Sequence, residues 1–425
     1  MTQADRPLRI GIDARSQAAT GGVQQFTLSL LVGLGRIKGT DEEYLALSNP
    51  HDQGWMAGAV GGQVRTLAVR QSMARRGRLG EVLRATSARF PILRRARAGL
   101  RRTVGPPDAL PRSDGAMEAA AVHVAHFVRQ RAFLTEIPSL YHPWDLQHVH
   151  LPEFFTDQER RFRDLAYRTF ASRAAWVVAA TTWAKEDLVA TYSLAPETIL
   201  VIPVAVDPDA YPVPSKDQLA EVRVRFGLPD RFLLYPAQTW QHKNHIRLME
   251  AVAIARDRHQ ERVELVCTGH PNDHYARIEE TVRRLRLEDR VHFTGYLSAP
   301  DLQAMYRLAT GVVFPSLFEG WGIPIVEAFL AGAPVASSTA TSLPALVADA
   351  ARLFDPYDPD QIAEGMLALW TDPQLCERLV ARGRSRVAQF DPDTIARTYR
   401  AAYRQVGGRP LTDDDRGLLA APPLV

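Results

Sequence analysis

The sequence lacks three features that would each indicate a particular class of protein. Only two of its 425 residues are cysteine, Cys267 and Cys376, and their wide separation excludes a disulfide framework and a clustered thiolate metal site. No stretch approaches the ~18 consecutive apolar residues of a membrane-spanning helix. The net charge is only +3, so the overall charge does not favour nucleic-acid binding. Residues 1–7 are polar and lack the apolar core of a signal peptide, so we expect a cytoplasmic protein.

The composition that remains is typical of an ordinary folded protein. Hydrophobic residues make up 46% and charged residues 23% of the chain, which is long enough for two domains with sizeable cores. Short apolar strands alternate with helical patterns, first from residues 8–13 and again from residues 232–237. This alternation predicts α/β domains, each with a parallel sheet covered on both faces. Two prolines in the linker after residue 211 divide the chain into domains of residues 1–211 and 212–390.

A strand at residues 310–314, a loop and a helix beginning at Pro324 form the most informative stretch. Glu319 falls in the loop and Glu327 in the first helical turn, so both border the crevice where parallel sheets bind ligands. The helix dipole favours keeping both carboxylates ionised. Ionised carboxylates only accept hydrogen bonds, which suits them to the hydroxyls of a sugar or ribose.

The backbone around the same helix start is suited to an anion. Free N–H groups near Gly322 and Ile323 point toward a position where a phosphate can bind, so the stretch predicts a site for a polyol phosphate. A plainer interpretation treats Gly320 and Gly322 as ordinary loop glycines and the carboxylates as helix caps. Spacing alone leaves both interpretations open.

Two other loops carry candidate ligand-binding residues. Gly21 and Gly22 join the first strand to a helix over residues 23–34, and paired glycines let a backbone approach a ligand closely. Lys243 stands at the entrance of a helix over residues 244–258, where its charge can neutralise a diphosphate. Ordinary roles as turn glycines and a solvated lysine also fit these positions.

Two patterns bear on metal binding. Three histidines lie within nine residues, but their spacing and the intervening prolines make a metal site the weaker interpretation. These histidines are His142, His148 and His150. Asp-Pro-Asp triplets begin at Asp207, Asp358 and Asp391. At the last two, the first Asp caps a following helix and the Pro takes its first position, so we expect no metal there.

An arginine-rich stretch interrupts the first domain. The pattern of strands and helices becomes weak over about residues 53–117. Between residues 70 and 102 this stretch contains eleven arginines but only one acidic residue, Glu81. Interleaved apolar residues fit basic amphipathic helices on an anionic membrane surface, at the inner face of the cell membrane. A solvated insertion fits equally well. We expect no nucleic-acid partner, because no aromatic platform or recognition helix accompanies the arginines.

Two segments carry a family resemblance that covers about residues 8–405. Residues 318–335 resemble the E-x7-E signature of the retaining glycosyltransferases of family 4, which have the GT-B fold. Their pattern F-E-G-x-G-x-P-x-x-E-A-x-x-x-G-x-P-V is present without a gap. Residues 145–155 resemble the family segment D-L-Q-H-x-H-x-P-E-F-F, although Trp144 stands where the family has a histidine.

The resemblance implies two Rossmann-like domains facing each other across a cleft. The second domain would hold a nucleotide sugar and the first an acceptor, while a helix over residues 391–408 would return to the first domain and residues 409–425 would be loose. The resemblance implies that Glu319 binds sugar hydroxyls, that Glu327 binds ribose hydroxyls and that Lys243 binds the diphosphate. Other implied donor-binding residues are Gly21, Gly22, Gln238, His242, Gly295, Tyr296, Gly320, Gly322 and Ile323. Those implied on the acceptor side are Trp144, Asp145 and His148.

The implied reaction transfers a hexose, by resemblance mannose from GDP-mannose, to a hydroxyl with retained anomeric configuration. The acceptor would be a glycan, a lipid-linked sugar or a small molecule, and no cofactor is needed beyond the nucleotide sugar. Gln238 and His242 occupy positions where the family has arginine, and Ala345 replaces a glutamate. Two other functions therefore stay open: a nucleotide-sugar hydrolase or epimerase of the same fold, and a non-catalytic sugar-nucleotide binding protein.

Overall fold

The computed structural model describes residues 6–15, 21–38, 41–50, 54–69, 110–205 and 207–425. These residues form two α/β domains, each built on its own parallel sheet. The predicted fold class is therefore confirmed. The arginines between residues 70 and 102 lie outside the described residues, so their relation to a membrane stays a prediction. In the described part of the chain, no helix is both long and apolar enough to span a membrane.

In the part of the chain that the structure describes, the amino-terminal sheet contains seven parallel strands. They are β1 (Leu8–Asp13), β2 (Glu42–Ser48), β3 (Val64–Ala68), β4 (Val124–Phe127), β5 (Ser139–Tyr141), β6 (Trp176–Ala179) and β7 (Ile199–Val201). Their order across the sheet is β3-β2-β1-β4-β5-β6-β7. Among the described residues, the helices of this domain are α1 (Gly22–Arg36), α2 (Ala116–Ala119), α3 (Gln147–His150), α4 (Asp157–Arg173) and α5 (Thr182–Tyr192).

The carboxyl-terminal sheet contains six parallel strands. They are β8 (Leu233–Pro236), β9 (Leu265–Thr268), β10 (Val291–Gly295), β11 (Gly311–Phe314), β12 (Val335–Ser338) and β13 (Ala351–Phe354). Their order is β10-β9-β8-β11-β12-β13. The remaining helices are α6 (Lys216–Arg225), α7 (His245–Asp257), α8 (Tyr275–Leu285), α9 (Ala299–Leu308), α10 (Ile323–Ala331), α11 (Leu343–Val347), α12 (Pro359–Thr371), α13 (Pro373–Val387), α14 (Pro392–Val406) and α15 (Asp413–Ala420).

Short 3-10 turns connect several of these elements. They are Gly54–Ala59, Pro152–Phe154, Pro196–Thr198, Pro208–Ala210 and Gln241–Lys243. The predicted caps of α12 and α14 are confirmed, because the side chains of Asp358 and Asp391 accept hydrogen bonds from backbone N–H groups of the following turn. Capping therefore accounts for these two triplets. Cys267 is buried and Cys376 partly buried, and both are free thiols.

The structure revises the interpretation of residues 53–117 as one loosely patterned insertion. Strand β3 lies inside this range and pairs in register along β2, from Tyr44 opposite Val64 to Ser48 opposite Ala68. As the edge strand it is half exposed and short, so its hydrophobic pattern is too weak to predict a strand.

Helix α14 packs on α1 in the amino-terminal domain. A Cβ added to Gly33 of α1 would lie only 2.7 Å from the Cβ of Ala396, so the glycine permits the close approach. The hydroxyl of Tyr403 lies 2.7 Å from Nδ1 of the buried His126 on β4. The end of the chain is thereby attached to the first sheet.

The structure also revises the expectation that residues 409–425 are loose. Thr412 and Asp415 form a capping box at the start of α15, and the buried Asp415 pairs with Arg400 at 3.3 Å. The carbonyl of Val425 accepts a hydrogen bond of 2.8 Å from the N–H of Thr182 at the start of α5. The acidic run that indicated a solvated tail is instead the first turn of a helix, where carboxylates are favourable.

Candidate functional site

The site lies where the carboxyl ends of β8 and β11 face the amino-terminal domain. Helix α10 begins at Ile323, one residue earlier than predicted, and is preceded by Gly322 with φ 125°. That backbone conformation favours glycine, and a Cβ at this position would lie 3.0 Å from Leu343 and Leu346. Gly322 is therefore required by the turn into the helix, and is more than an ordinary loop glycine.

Lys243 and Glu319 meet at this edge of the sheet. The Nζ of Lys243 forms an ion pair with Oε1 of Glu319, and Ser316 donates a hydrogen bond of 2.6 Å to the same oxygen. The two side chains are 15% and 13% exposed. The backbone N–H of Glu319 donates to Oγ1 of Thr341 at 3.0 Å, and that hydroxyl donates to the Glu319 carbonyl at 2.8 Å. Oε2 of Glu319 and two N–H bonds of Lys243 are left for a ligand.

Glu327 departs from its predicted environment. It lies in the second turn of α10, only 6% exposed, and its two oxygens accept hydrogen bonds of 2.8 Å from the hydroxyls of Tyr211 and Tyr306. Burial raises the pKa of Glu327, while the two tyrosines act in the opposite direction. The predicted place of Glu327 in the first helical turn is therefore wrong, because the side chain lies a full turn from the helix start, where desolvation opposes the influence of the dipole.

The Gly21–Gly22 loop faces the start of α10 from the opposite domain. A Cβ added to Gly22 would lie 3.0 Å from Cδ1 of Ile323, whereas the corresponding position on Gly21 is open space. A Cβ on Gly320 would lie 2.4 Å from the carbonyl oxygen of Trp144. Both contacts join the two domains across the cleft. The structure thus brings predicted residues of the two walls together, Gly22 against Ile323 and Gly320 against Trp144.

The indole of Trp144 is held within the amino-terminal domain. Its Nε1 donates a hydrogen bond of 3.0 Å to the Val128 carbonyl, and its ring packs edge-on against Phe26 with centroids 5.0 Å apart. The residue has φ 65°, an uncommon conformation for a side chain of this size. Trp144 therefore offers its backbone, rather than a polar side-chain atom, to the facing loop.

Asp145 lies beside the Lys243–Glu319 pair. Its Oδ1 accepts a hydrogen bond of 3.1 Å from the N–H of Gln147. Desolvation raises the pKa of Asp145 to about 6, and the nearby charge of Glu319 acts in the same direction, whereas Arg163 and Lys243 lower it. A carboxyl with such a pKa can change its protonation state near neutral pH.

The histidines of this segment do not converge on one point. His148 is buried in the amino-terminal domain, with Nε2 3.3 Å from the hydroxyl of Tyr192, and burial lowers its pKa to about 4. His142 lies 3.5 Å from the hydroxyl of Tyr399, and His150 pairs with Asp187 at 2.7 Å. His148 is therefore a core residue in this structure, and its expected place on the acceptor side is not supported, because its ring points into the packing of α3 against α4.

The remaining predicted donor-side residues line the same sheet edge. Tyr296 follows Gly295 and is 48% exposed, and its ring stacks on His270 with centroids 4.8 Å apart at 11°. The Oε1 of Gln238 accepts a hydrogen bond of 3.0 Å from the indole of Trp240. Burial lowers the pKa of His242 well below its usual value, and the charge of Lys243 lowers it further. Burial therefore disfavours the charged form of His242 in this structure.

Several residues of the site carried no signal in the sequence. They are Tyr211, Tyr306, Ser316, Thr341 and His270. Tyr211, Tyr306, Thr341 and His270 each contribute a hydrogen bond or ring contact to a predicted residue that is at least 21 positions away in the chain. Ser316 bonds Glu319 from three residues away in the same loop. Serine, threonine and tyrosine are common in any loop or core, so only their position in the fold distinguishes them.

Comparison with known proteins places this geometry in context. The family model of the glycosyl transferases group 1 matches residues 221–386. The O-antigen chain mannosyltransferase B of Escherichia coli is 26% identical over 254 residues, which is 60% of this chain and 66% of that protein. The MMP alpha-(1->4)-mannosyltransferase of Mycolicibacterium hassiacum is 30% identical over 227 residues, 52% of each protein. The chain thus spans less than two thirds of the length of these curated relatives.

Similarity at the level of the fold covers nearly the whole chain. The solved structure of Anabaena HepE in complex with UDP and glucose superposes with a TM-score of 0.68 at 17% sequence identity. The superposition covers 94% of this chain and 100% of that one. The chain therefore has the GT-B fold, and the match to the family model lies within its carboxyl-terminal domain.

Proposed function

We propose that the protein is a retaining glycosyltransferase that moves a hexose from a nucleoside diphosphate sugar to an acceptor hydroxyl. The observation that carries the proposal is the largely buried Lys243–Glu319 pair, which lies at the carboxyl ends of the strands, just before the helix start that Gly22 contacts from the other domain. A cation and a carboxylate held together suit a ligand with an anionic end and a hydroxylated end. The family match over the same domain supports this interpretation.

In the proposed complex, the donor lies along the edge of the second sheet. Lys243 neutralises the diphosphate, together with the backbone N–H groups at the start of α10. Glu319 accepts hydrogen bonds from the sugar hydroxyls through Oε2. Glu327 accepts from the ribose through its remaining lone pairs, while Tyr211 and Tyr306 fix the orientation of its carboxyl.

The remaining residues of the donor site complete its two ends. Gln238, Gly295 and the Tyr296–His270 stack lie beside the base. The Gly21–Gly22 loop closes on the phosphates from the opposite domain. The acceptor occupies the amino-terminal wall beside Asp145 and the Trp144 backbone.

The chemistry requires positioning rather than a protein nucleophile. The bond from the anomeric carbon to the diphosphate oxygen breaks, a new bond to the acceptor oxygen forms on the same face, and the acceptor proton passes to the leaving diphosphate. Lys243 stabilises the charge that develops on that leaving group, and the two domains hold the reactants in contact. We propose no cofactor and no metal for this reaction.

We further propose that the sugar is mannose and the base guanine. The names of the two curated relatives above support mannose. The acceptor hydroxyl would belong to a glycan, a lipid-linked sugar or a small molecule. We propose that the reaction takes place in the cytoplasm.

A panel of nucleotide sugars tests the proposal directly. Thermal unfolding is measured with GDP-mannose, GDP-glucose, UDP-glucose and UDP-galactose, because a ligand that binds only the folded state raises the melting temperature. The donor that binds is then incubated with a panel of acceptor glycans, and the anomeric configuration of the product is read by NMR. Turnover that needs an acceptor and retains configuration supports the proposal. Rapid release of free or epimerised sugar without acceptor would indicate a hydrolase or epimerase, and binding without turnover a non-catalytic protein.

A further inference from the structure

The loop that carries Glu319 contacts the amino-terminal domain on both sides of that residue. Phe318, on one side, is only 3% exposed and packs with Leu151 and Leu317 in a small apolar cluster. Phe154 and Trp183, which belong to the first domain, pack against the same cluster. A side chain from the second domain is therefore buried in the surface of the first.

Two aromatic rings of the first domain form the walls of this pocket. The His150 ring stacks on Phe318 with centroids 5.3 Å apart at 27°, and Trp183 meets it edge-on at 5.6 Å and 76°. The Nε2 of His150 pairs with Oδ1 of Asp187 at 2.7 Å, which fixes the orientation of the ring. Trp183 also packs against the core of the first domain. The pocket is thus built on rigid parts of that domain.

Gly320, on the other side of Glu319, makes the second contact. A Cβ at this position would lie 2.4 Å from the carbonyl oxygen of Trp144, so glycine is needed for the domains to approach this closely. Within its own domain the loop is held by Thr341, which bonds both backbone groups of Glu319. The position of the Glu319 carboxylate is therefore linked to the position of both domains.

We propose that Phe318 is a closure latch: a positioning residue whose insertion between His150 and Trp183 holds the cleft closed and keeps Glu319 aligned with Lys243. The inference rests on the proposed function, in which this pair grips the donor. When the domains separate, the Phe318 side chain loses its pocket and becomes exposed to water, so its burial favours the closed state. The same ring contact therefore connects the closing of the cleft to the alignment of the carboxylate.

Small-angle X-ray scattering tests the latch without any activity. The radius of gyration is measured for the wild type, Phe318→Ala and Gly320→Ala, and for Phe226→Ala as a matched control. Phe226 directly follows α6 of the second domain, and the guanidinium of Arg225 lies 5.0 Å from the centre of its ring. We expect a larger radius of gyration for the two loop variants and an unchanged one for Phe226→Ala. Equal radii for the wild type and both loop variants would overturn the proposal.

Kinetics then tests whether closure positions Glu319. Because Glu319 grips the donor and the Gly21–Gly22 loop closes on it, we expect Phe318→Ala to lower kcat at least about tenfold and to raise the donor KM as well. Phe318→Tyr keeps an aromatic ring and should restore most of kcat. Trp183→Ala should lower kcat as well, and the double variant with Phe318→Ala should lose little more than either single variant, because both remove one contact.

Two kinetic outcomes decide against the latch. An unchanged kcat in Phe318→Ala, or effects of Trp183→Ala and Phe318→Ala that multiply independently, would show that the contact does not position Glu319. If the wild type turns over no donor with any acceptor, the proposed function fails, and the scattering measurement still decides whether Phe318 holds the cleft closed.

Discussion

Lys243 and Glu319 are separated by 76 residues in the chain and share one ion pair in the structure. Because the pair is largely removed from water, deleting one partner leaves the other as an uncompensated buried charge. That unpaired charge costs more free energy than the ion pair contributes to stability. A bound diphosphate changes this balance, since it adds negative charge next to the lysine. Substitution of Lys243 should therefore affect ligand binding beyond its effect on the free protein.

Lys243→Met should weaken binding of GDP at least about tenfold, because the variant keeps the length of the side chain and loses its charge. The measurement is the rise in melting temperature on adding GDP, supported by isothermal titration. Lys185→Met is the matched control, because Lys185 is also partly buried but donates to the Ile199 carbonyl in the first domain. A GDP-induced rise of equal size in both variants would contradict the assignment of Lys243.

The raised pKa of Asp145 predicts that the free energy of unfolding depends on pH. Its pKa is raised to about 6 in the folded protein, chiefly by desolvation, so between its usual pKa and pH 6 the folded state binds more protons than the unfolded state. Stability from this group is therefore highest at low pH and is lost as the pH rises through about 6. Asp145→Asn keeps the acceptor for the Gln147 N–H and removes the charge. Since the side chain is partly exposed, we expect this variant to gain about 1–2 kcal/mol relative to the wild type at pH 7.

Urea unfolding at pH values from 4 to 8 measures this difference. The gain of Asp145→Asn should be small at pH 4, should grow up to about pH 6 and should stay constant above pH 7. The exposed Asp230 supplies the control, and Asp230→Asn should show no such trend. A gain that does not vary with pH would argue against a raised pKa at Asp145.

At the scale of elements, helices α14 and α15 are attached to the first sheet by a group of buried charges. Glu42 on β2 is buried and pairs with Arg400 at 3.2 Å and with Arg404. The same arginines reach Asp415 of α15 at 3.3 and 3.5 Å. The returning helix and the last helix of the chain thus depend on a few carboxylates for their place on the sheet.

Glu42→Gln should destabilise the protein by about 2–4 kcal/mol, because it leaves two arginines with less compensation in a buried position. Its neighbour Glu43 points to the other side of the strand and pairs with Arg9 while 22% exposed. Glu43→Gln should therefore cost less than about 1 kcal/mol. Denaturant unfolding of the two variants provides the comparison. Similar losses for both would contradict the special role of the buried group.

At the scale of the whole molecule, the two domains meet through residues that are remote in the chain. The hydroxyls of Thr181 and Ser342 lie 2.8 Å apart in a buried position, and Tyr211 reaches Glu327 across 116 residues. The cleft between the domains therefore has one wall from each half of the sequence. A membrane surface would have to present its acceptor to this cleft.

The arginine-rich stretch predicts salt-sensitive binding to anionic vesicles. Vesicles of phosphatidylglycerol and phosphatidylcholine should sediment the full chain at low salt and release it as the ionic strength rises, since attraction to anionic lipid is screened by salt. Deletion of residues 70–102 should abolish the binding, whereas neutral vesicles should bind neither protein. Equal sedimentation of the full chain and the deletion variant would reject the membrane interpretation and favour a solvated insertion.

The sequence by itself determined the fold class and most of the elements, because these depend on local periodicity and on capping residues. Strand β1 matches its predicted bounds, and helix α14 begins at the predicted Pro392. Both were predictable because a buried apolar run and an Asp-Pro helix start are patterns of only a few residues. The E-x7-E stretch likewise located the edge of the sheet where Glu319 lies. Strand β3 escaped prediction because an exposed edge strand has little hydrophobic pattern.

Only the tertiary structure decided what surrounds the predicted residues. It placed Lys243 on Glu319, enclosed Glu327 between Tyr211 and Tyr306, buried the ring of His148, and inserted Phe318 between two rings of the other domain. These relations join residues that are tens or hundreds of positions apart, and no local pattern encodes them. They arise from how the two sheets and their loops pack, which also sets the desolvation that shifts the pKa values of the buried carboxyls and histidines.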